Sequence, residues 1–100
     1  LSEVADPRAL DSFVRNWLGT LIDYDAAHGS ELTTTLAAYL DVGGNYDNTA
    51  RTLTIGRSTV RYRIRRIQEI SGLDLTDTDT RFQLQLAARA WSTIHALNGT

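Results

Sequence analysis

The amino-acid sequence predicts an all-α domain of five or six helices. Three observations carry that expectation. Apolar residues recur at three- and four-residue spacings along most of the chain, the period of a helix with one buried face. No segment alternates apolar and polar residues with the period of two that a half-buried strand needs. Glycine or proline falls between the periodic stretches, where helices start and stop.

Asp6-Pro7 reads as an N-cap followed by proline at the first helical position, where the missing N–H costs nothing. Leu10, Phe13, Trp17 and Leu18 then follow a helical period, and Gly19 is expected to end that helix. Leu21, Ile22 and Tyr24 suggest a short second helix closed by His28-Gly29. Ser30 is the expected cap of a third, whose Leu32, Leu36, Tyr39 and Leu40 stand at i, i+4, i+7 and i+8, and Gly43-Gly44 ends it. Asn45 is a good N-cap for a short helix through Leu53, with Ala50 and Leu53 turned inward. Thr54 to Gly56 forms a tight turn, and a longer helix from Arg57 to Ser71 is stopped by Gly72. Residues 73 to 80 connect, burying Leu73 and Leu75, and Asp77 or a neighbouring threonine caps a last helix over residues 78 to 97.

One hundred residues suit a single domain with one core. No apolar run approaches the ~20 residues of a membrane span, and no signal-peptide pattern opens the chain, so no membrane partner is expected. With no cysteine, disulfides, thiolate zinc sites and thiol catalysis are excluded, which is compatible with a cytoplasmic protein. There is no methionine, so residue 1 is not a native start, and residues 1–100 are expected to be one domain of a longer protein.

The net charge of −2 argues at first against a polyanionic partner, but its distribution reverses that reading. Arg51, Arg57, Arg61, Arg63, Arg65 and Arg66 fall within residues 51 to 66 without a single acid, which leaves four arginines against twelve acids elsewhere. A split this sharp suggests an anion-binding face on an acidic body. Every basic residue is arginine, a bias that genome composition alone can produce.

At 100° per residue, Val60, Ile64, Ile67 and Ser71 share one stripe of the helix from Arg57 and face the core. Ser58, Tyr62, Arg65 and Glu69 lie opposite, with Arg61 and Arg66 on the flanks. A short helix, a tight turn and a longer helix with a polar N-terminal face is a helix-turn-helix, here over residues 45–71, the layout that seats one helix in the major groove. Arginine suits bidentate contact with guanine O6 and N7. Ser58 and Thr59 can donate to phosphates or base edges, and the helix N-terminus offers N–H groups and a positive dipole end. Arg51, Arg57, Ser58, Thr59, Arg61, Tyr62, Arg65 and Arg66 are therefore the candidate DNA-binding residues. Most arginine-rich helix faces are simply solvated and paired with acids one turn away. Here only Glu69 is in reach, of Arg65 or Arg66, so solubility explains the cluster less well than a polyanion does. The alternative function is a helical interaction module that takes RNA or an acidic protein partner on the same face.

The residues Gly43-Gly44-Asn45, Ala50-Arg51, Leu53, Ile55, the run Thr59-Val60-Arg61-Tyr62-Arg63-Ile64-Arg65-Arg66-Ile67, and Gly72-Leu73-Asp74 resemble the C-terminal helix-turn-helix domain of PucR/CdaR-type bacterial transcriptional regulators. The recognition-helix segment also resembles that of the Fis DNA-bending protein. The resemblance covers most of residues 20 to 91. It implies a Fis-like fold, operator DNA as partner and sensory regions upstream. One recognition helix reads only a few base pairs, so a homodimer or higher oligomer of the whole regulator is expected. The chain departs from the family pattern at Gly56, Arg57 and Ser58, positions expected to touch bases, so the operator sequence does not carry over.

Other chemistry finds little support. Asp74, Asp77 and Asp79 lack the D-x-D-x-D-G order and closing glutamate of a calcium loop and read as an acidic connector with helix caps. His28 and His95 are isolated, and Asp23 and Asp25 project to different sides of a helix. Asn98-Gly99-Thr100 is a glycosylation triplet by letters only. No catalytic constellation, metal site or cofactor motif is present, so neither enzyme activity nor a cofactor is expected. The last helix is apolar around much of its girth, through Phe82, Leu84, Leu86, Ala90, Trp91 and Ile94. That suits a central core helix, with a dimer seam along one strip as the sharper alternative.

Overall fold

Asp6 accepts from the Arg8 amide at 3.0 Å and starts a helix whose first residue is Pro7. A computed structural model describes residues 6–98. In it this helix, α1 (Pro7–His28), is followed by α2 (Leu32–Asp41), α3 (Tyr46–Leu53), α4 (Arg57–Ser71) and α5 (Thr78–Asn98). The described residues contain no strand. Gly99 and Thr100 of the glycosylation triplet lie outside them.

The sequence expectation fails at Gly19, which does not end a helix. Val14, Leu18 and Leu21 bury one continuous stripe across it. A glycine inside a helix costs about 1 kcal/mol, whereas each buried leucine contributes about 1.5–3 kcal/mol, so burial wins. The two expected N-terminal helices are therefore one, and the total is five. The helix ends at Gly29, whose left-handed φ of 64° brings its N–H to the Asp25 carbonyl at 2.8 Å.

Ser30 does not cap α2 either. The Asp25 carboxylate, on the last turn of α1, does so from outside. It accepts the Leu32 and Thr33 amides at 2.8 Å each, the Thr33 hydroxyl at 2.7 Å and the Ser30 hydroxyl at 2.6 Å. Ser30 thus orients the cap instead of supplying it. Burial would raise the Asp25 carboxyl, but the bonds from Ser30, Thr33 and Leu32 outweigh it and hold the group below its ordinary range.

Helix α2 is the hub and packs on all four other helices. Its Leu32, Leu36 and Leu40 join Val14, Leu18 and Leu21 of α1, Val60, Ile64 and Ile67 of α4, and Leu84, Ala87 and Ala88 of α5 in one core. Gly43 and Gly44, both at positive φ, turn the chain into α3. A side chain at Gly44 would meet Arg81 at 3.1 Å and the Tyr39 ring at 3.4 Å. Within α3, Ala50 packs on the core as expected; Leu53 and, past the turn, Ile55 are both half-buried, and of the two Ile55 packs on the core. Leu75 is buried in the connector and Leu73 half-buried. Asp77 caps α5 by accepting the Thr80 amide at 2.8 Å. Helix α5 packs on α1 and α2, and its backbone does not come close to that of α3 or α4.

Candidate nucleic-acid interface

Helices α3 and α4 meet at a turn that closes with two backbone hydrogen bonds. The Thr54 amide donates to Arg51 O at 3.3 Å and the Ile55 amide to Ala50 O at 3.0 Å. This double closure needs a left-handed residue, and Thr54 supplies it at φ 58°. A β-branched residue there costs roughly 1–2 kcal/mol, offset by Ile55 and Ala50 packing on the core. Gly56 then precedes α4 in an extended conformation and provides no side-chain cap, so the first turn of α4 keeps its amides turned outward without a side-chain acceptor.

The phase of α4 agrees with its sequence. Val60 and Ile67 are fully buried and Ile64 nearly so, while Ser71 is half-buried. Arg57, Ser58, Thr59, Arg61, Tyr62 and Arg65 are exposed along the first three turns. Tyr62, at 58% exposure, is a large ring held out in solvent in the middle of that face.

The six arginines separate into different environments. Arg61 and Arg65 have no acidic partner among the described residues, and the Arg61 guanidinium lies 5.5 Å from the Tyr46 ring centroid. With Gln68, these three side chains line a shallow concavity between α3 and α4. Arg57 pairs with Asp47 of α3 at 3.4 Å, an acid just outside the acid-free window. Arg51 donates to Asn48 on its own helix at 2.9 Å. Arg63 turns away and donates to the buried Thr35 of α2 at 3.0 Å. Arg66 reaches α1: it donates to the Tyr24 hydroxyl at 3.2 Å, lies over that ring, and pairs with Glu69 at 3.2 Å. The Tyr24 and Glu69 contacts hold its guanidinium still more firmly protonated.

The structure thus gathers Arg57, Ser58, Thr59, Arg61, Tyr62 and Arg65 on one open face, places Arg51 beside them on α3, and braces Arg66 to the side. Tyr46 and Gln68 belong to the same surface and carry no charge by which a search for basic residues finds them. Exposed pairs such as Arg57–Asp47 are worth ~0–1 kcal/mol and yield readily to a stronger anion.

The remaining candidates have local tasks. His28 stacks on Tyr24 with centroids 4.0 Å apart, and His95 stacks on Trp91 at 5.0 Å. Asp74 accepts from the Thr76 amide and hydroxyl, as an acidic connector would. No group of three or more metal-ligating residues occurs among the described residues. Among the described residues, no helix is long and apolar enough to cross a membrane.

Residues 32–90 match the family described as the PucR C-terminal helix-turn-helix domain, a span that runs from the start of α2 to within α5. The chain is 41% identical over 73 residues to an uncharacterised protein of Thermomonospora curvata, covering 73% of this chain and 40% of that protein. It is 30% identical over 69 residues to the DNA-binding transcriptional activator AdeR of Bacillus subtilis, covering 69% of this chain and 16% of AdeR. It is 38% identical over 55 residues to the purine catabolism regulatory protein of the same organism, covering 55% of this chain and 10% of that protein. The chain spans from 10% to 40% of the lengths of these relatives. No solved structure matches it.

Proposed function

The chain belongs to the family of PucR C-terminal helix-turn-helix domains, and from that premise we propose that it binds double-stranded DNA sequence-specifically as the C-terminal domain of a longer cytoplasmic transcriptional regulator. The observation that carries this reading is the exposed face of α4, where Arg61 and Arg65 lack acidic partners among the described residues above a fully buried Val60 and Ile67. The description of AdeR as a DNA-binding transcriptional activator supports it.

In this reading α4 enters the major groove by its N-terminal half. Arg61 takes a guanine edge, with Tyr62 beside it. Ser58, Thr59 and the open amides at the start of α4 take phosphate or base edges. Arg51, Arg57 and Arg65 meet the backbone on either side, and Arg66 contributes only the donors that Tyr24 and Glu69 leave over. The helix-turn-helix over residues 45–71 is the reading unit. One recognition helix reads too few base pairs for a genome, so the whole regulator acts as a homodimer or higher oligomer on paired half-sites about one helical turn, ~34 Å, or a multiple of it apart. No catalysis or cofactor enters.

Selection of bound sites from a random duplex library tests the proposal. The chain is expected to enrich one short motif and to prefer it over a scrambled duplex by about a hundredfold or more at physiological salt. Equal binding to the scrambled duplex, or tighter binding to RNA or an acidic protein, overturns it.

A further inference from the structure

Helix α5 buries Leu84, Ala87 and Ala88 against α1 and α2 and leaves its opposite face open. Asp79, Phe82, Leu86 and Arg89 all lie on that open face and are exposed. Phe82 is 60% exposed and Leu86 44%, so a phenylalanine and a leucine one turn apart stand in solvent. The neighbouring strip of Trp91 and Ile94 is different: both are half-buried and pack on the core.

The order of the four residues is informative. Acid, aromatic, aliphatic and arginine follow one another at spacings of three, four and three. That spacing reads the same in both directions. When two copies of α5 lie antiparallel about a two-fold axis beside Leu84, Phe82 meets the partner's Leu86 and Asp79 meets the partner's Arg89. Each contact then occurs twice, as a two-fold interface requires. A parallel pairing sets Asp79 against Asp79 and Arg89 against Arg89, and like charges across a contact are strongly disfavoured. Asp79 has no ion pair among the described residues. Arg89 pairs with Asp41 at 3.4 Å on an exposed surface, through one of its nitrogens, and keeps donors to spare.

We propose that this stripe of α5 is a self-association seam between two copies of the chain, packed as an antiparallel helix pair. The seam runs over eleven residues, from Asp79 to Arg89, about 15 Å. An interface that short is weak in isolation and becomes effective when two copies are held close, as on neighbouring half-sites. The stripe lies on the face of α5 turned away from the core, and the α5 backbone does not come close to α4, so the seam leaves the arginine face of both copies open. Association of the free chain is measured without DNA, so its failure and the failure of DNA binding are separate results.

Sedimentation equilibrium of the 100-residue chain up to about 1 mM, the range of small transient interfaces, is expected to show dimers. Asp79→Arg and Arg89→Asp each set like charges at both ends of the seam and are expected to weaken association about tenfold or more. An equimolar mixture of the two variants restores both ion pairs and recovers the native association. Phe82→Cys mixed with Leu86→Cys, in a chain without other cysteines, is expected to oxidise preferentially to the mixed disulfide dimer. This second measurement does not depend on the charges, and thermal melts confirm that each variant is folded. A chain that stays monomeric throughout overturns the proposal. So does a charge-variant mixture that associates no better than its components, which is the outcome if the stripe docks an upstream segment instead. Cysteine links formed only within each variant overturn the antiparallel register.

Discussion

Arg61 and Arg66 are five residues apart on α4 and therefore point about 140° apart around it. Arg61 stays on the open face above Tyr46, while Arg66 swings back to Tyr24 of α1. Arg61→Ala is expected to weaken binding to the selected duplex by roughly 1–3 kcal/mol and to relax discrimination at one base pair. Arg66→Ala is expected to leave base discrimination unchanged and to lower the melting temperature by loosening α4 from α1. Titrations against single-base duplex variants, with melts in parallel, check both, and the opposite pattern assigns the roles wrongly. The helical period alone identifies the outward residues of α4, so most of this face was legible in the sequence. The period says nothing about partners far along the chain. Thr35 for Arg63 and Tyr24 for Arg66 are 28 and 42 residues away, and their pairing appears only when α1 and α2 pack beside α4.

Among the elements, α3, α4 and the start of α5 were legible because each has a boundary on a residue with a strong local preference: Asn45 opens α3, Gly72 closes α4 and Asp77 opens α5. The division of α1 at Gly19 and the cap of α2 at Ser30 were not. Both depend on tertiary context, namely a core that spans the glycine and a carboxylate arriving from the preceding helix. That carboxylate gives the α1–α2 junction a pH dependence. The folded-state pKa of Asp25 is lowered, so its stabilisation is complete above the ordinary carboxylate value of about 3.9 and is lost as pH falls through the folded value. Asp25→Asn keeps one acceptor and removes the charge, and is expected to cost about 1–2 kcal/mol at neutral pH. Its loss of stability below about pH 4 should be shallower than that of the native chain. Urea unfolding at pH 7 and pH 3 measures both effects. An unchanged acid limb would mean that other carboxylates control it.

At the scale of the whole molecule, the charge split of the sequence becomes a split in space. Helix α4 carries the open arginine face, and α5 carries the exposed apolar stripe on a helix whose backbone does not come close to α4. What composition could not convey is how the parts move together. The last turn of α1 is fastened twice, by Asp25 to the first turn of α2 and by Tyr24 to Arg66 near the end of α4. These three helix ends should therefore open as one cooperative unit, with amide hydrogens exchanging only through a large-scale opening. The end of α5, where His95 to Leu97 are exposed, should exchange by local fraying. Asp25→Asn is then expected to speed hydrogen exchange in the C-terminal half of α4 as well as at Leu32 and Thr33, although among the described residues the altered side chain accepts hydrogen bonds from only the latter two and Ser30. Exchange that quickens at Leu32 and Thr33 alone would show the two fastenings to be independent. If they are coupled, the helix that precedes the family's own span acts as the clamp on α4, and under the proposed function the firmness of DNA recognition is set some 40 residues upstream of the residues proposed to touch bases.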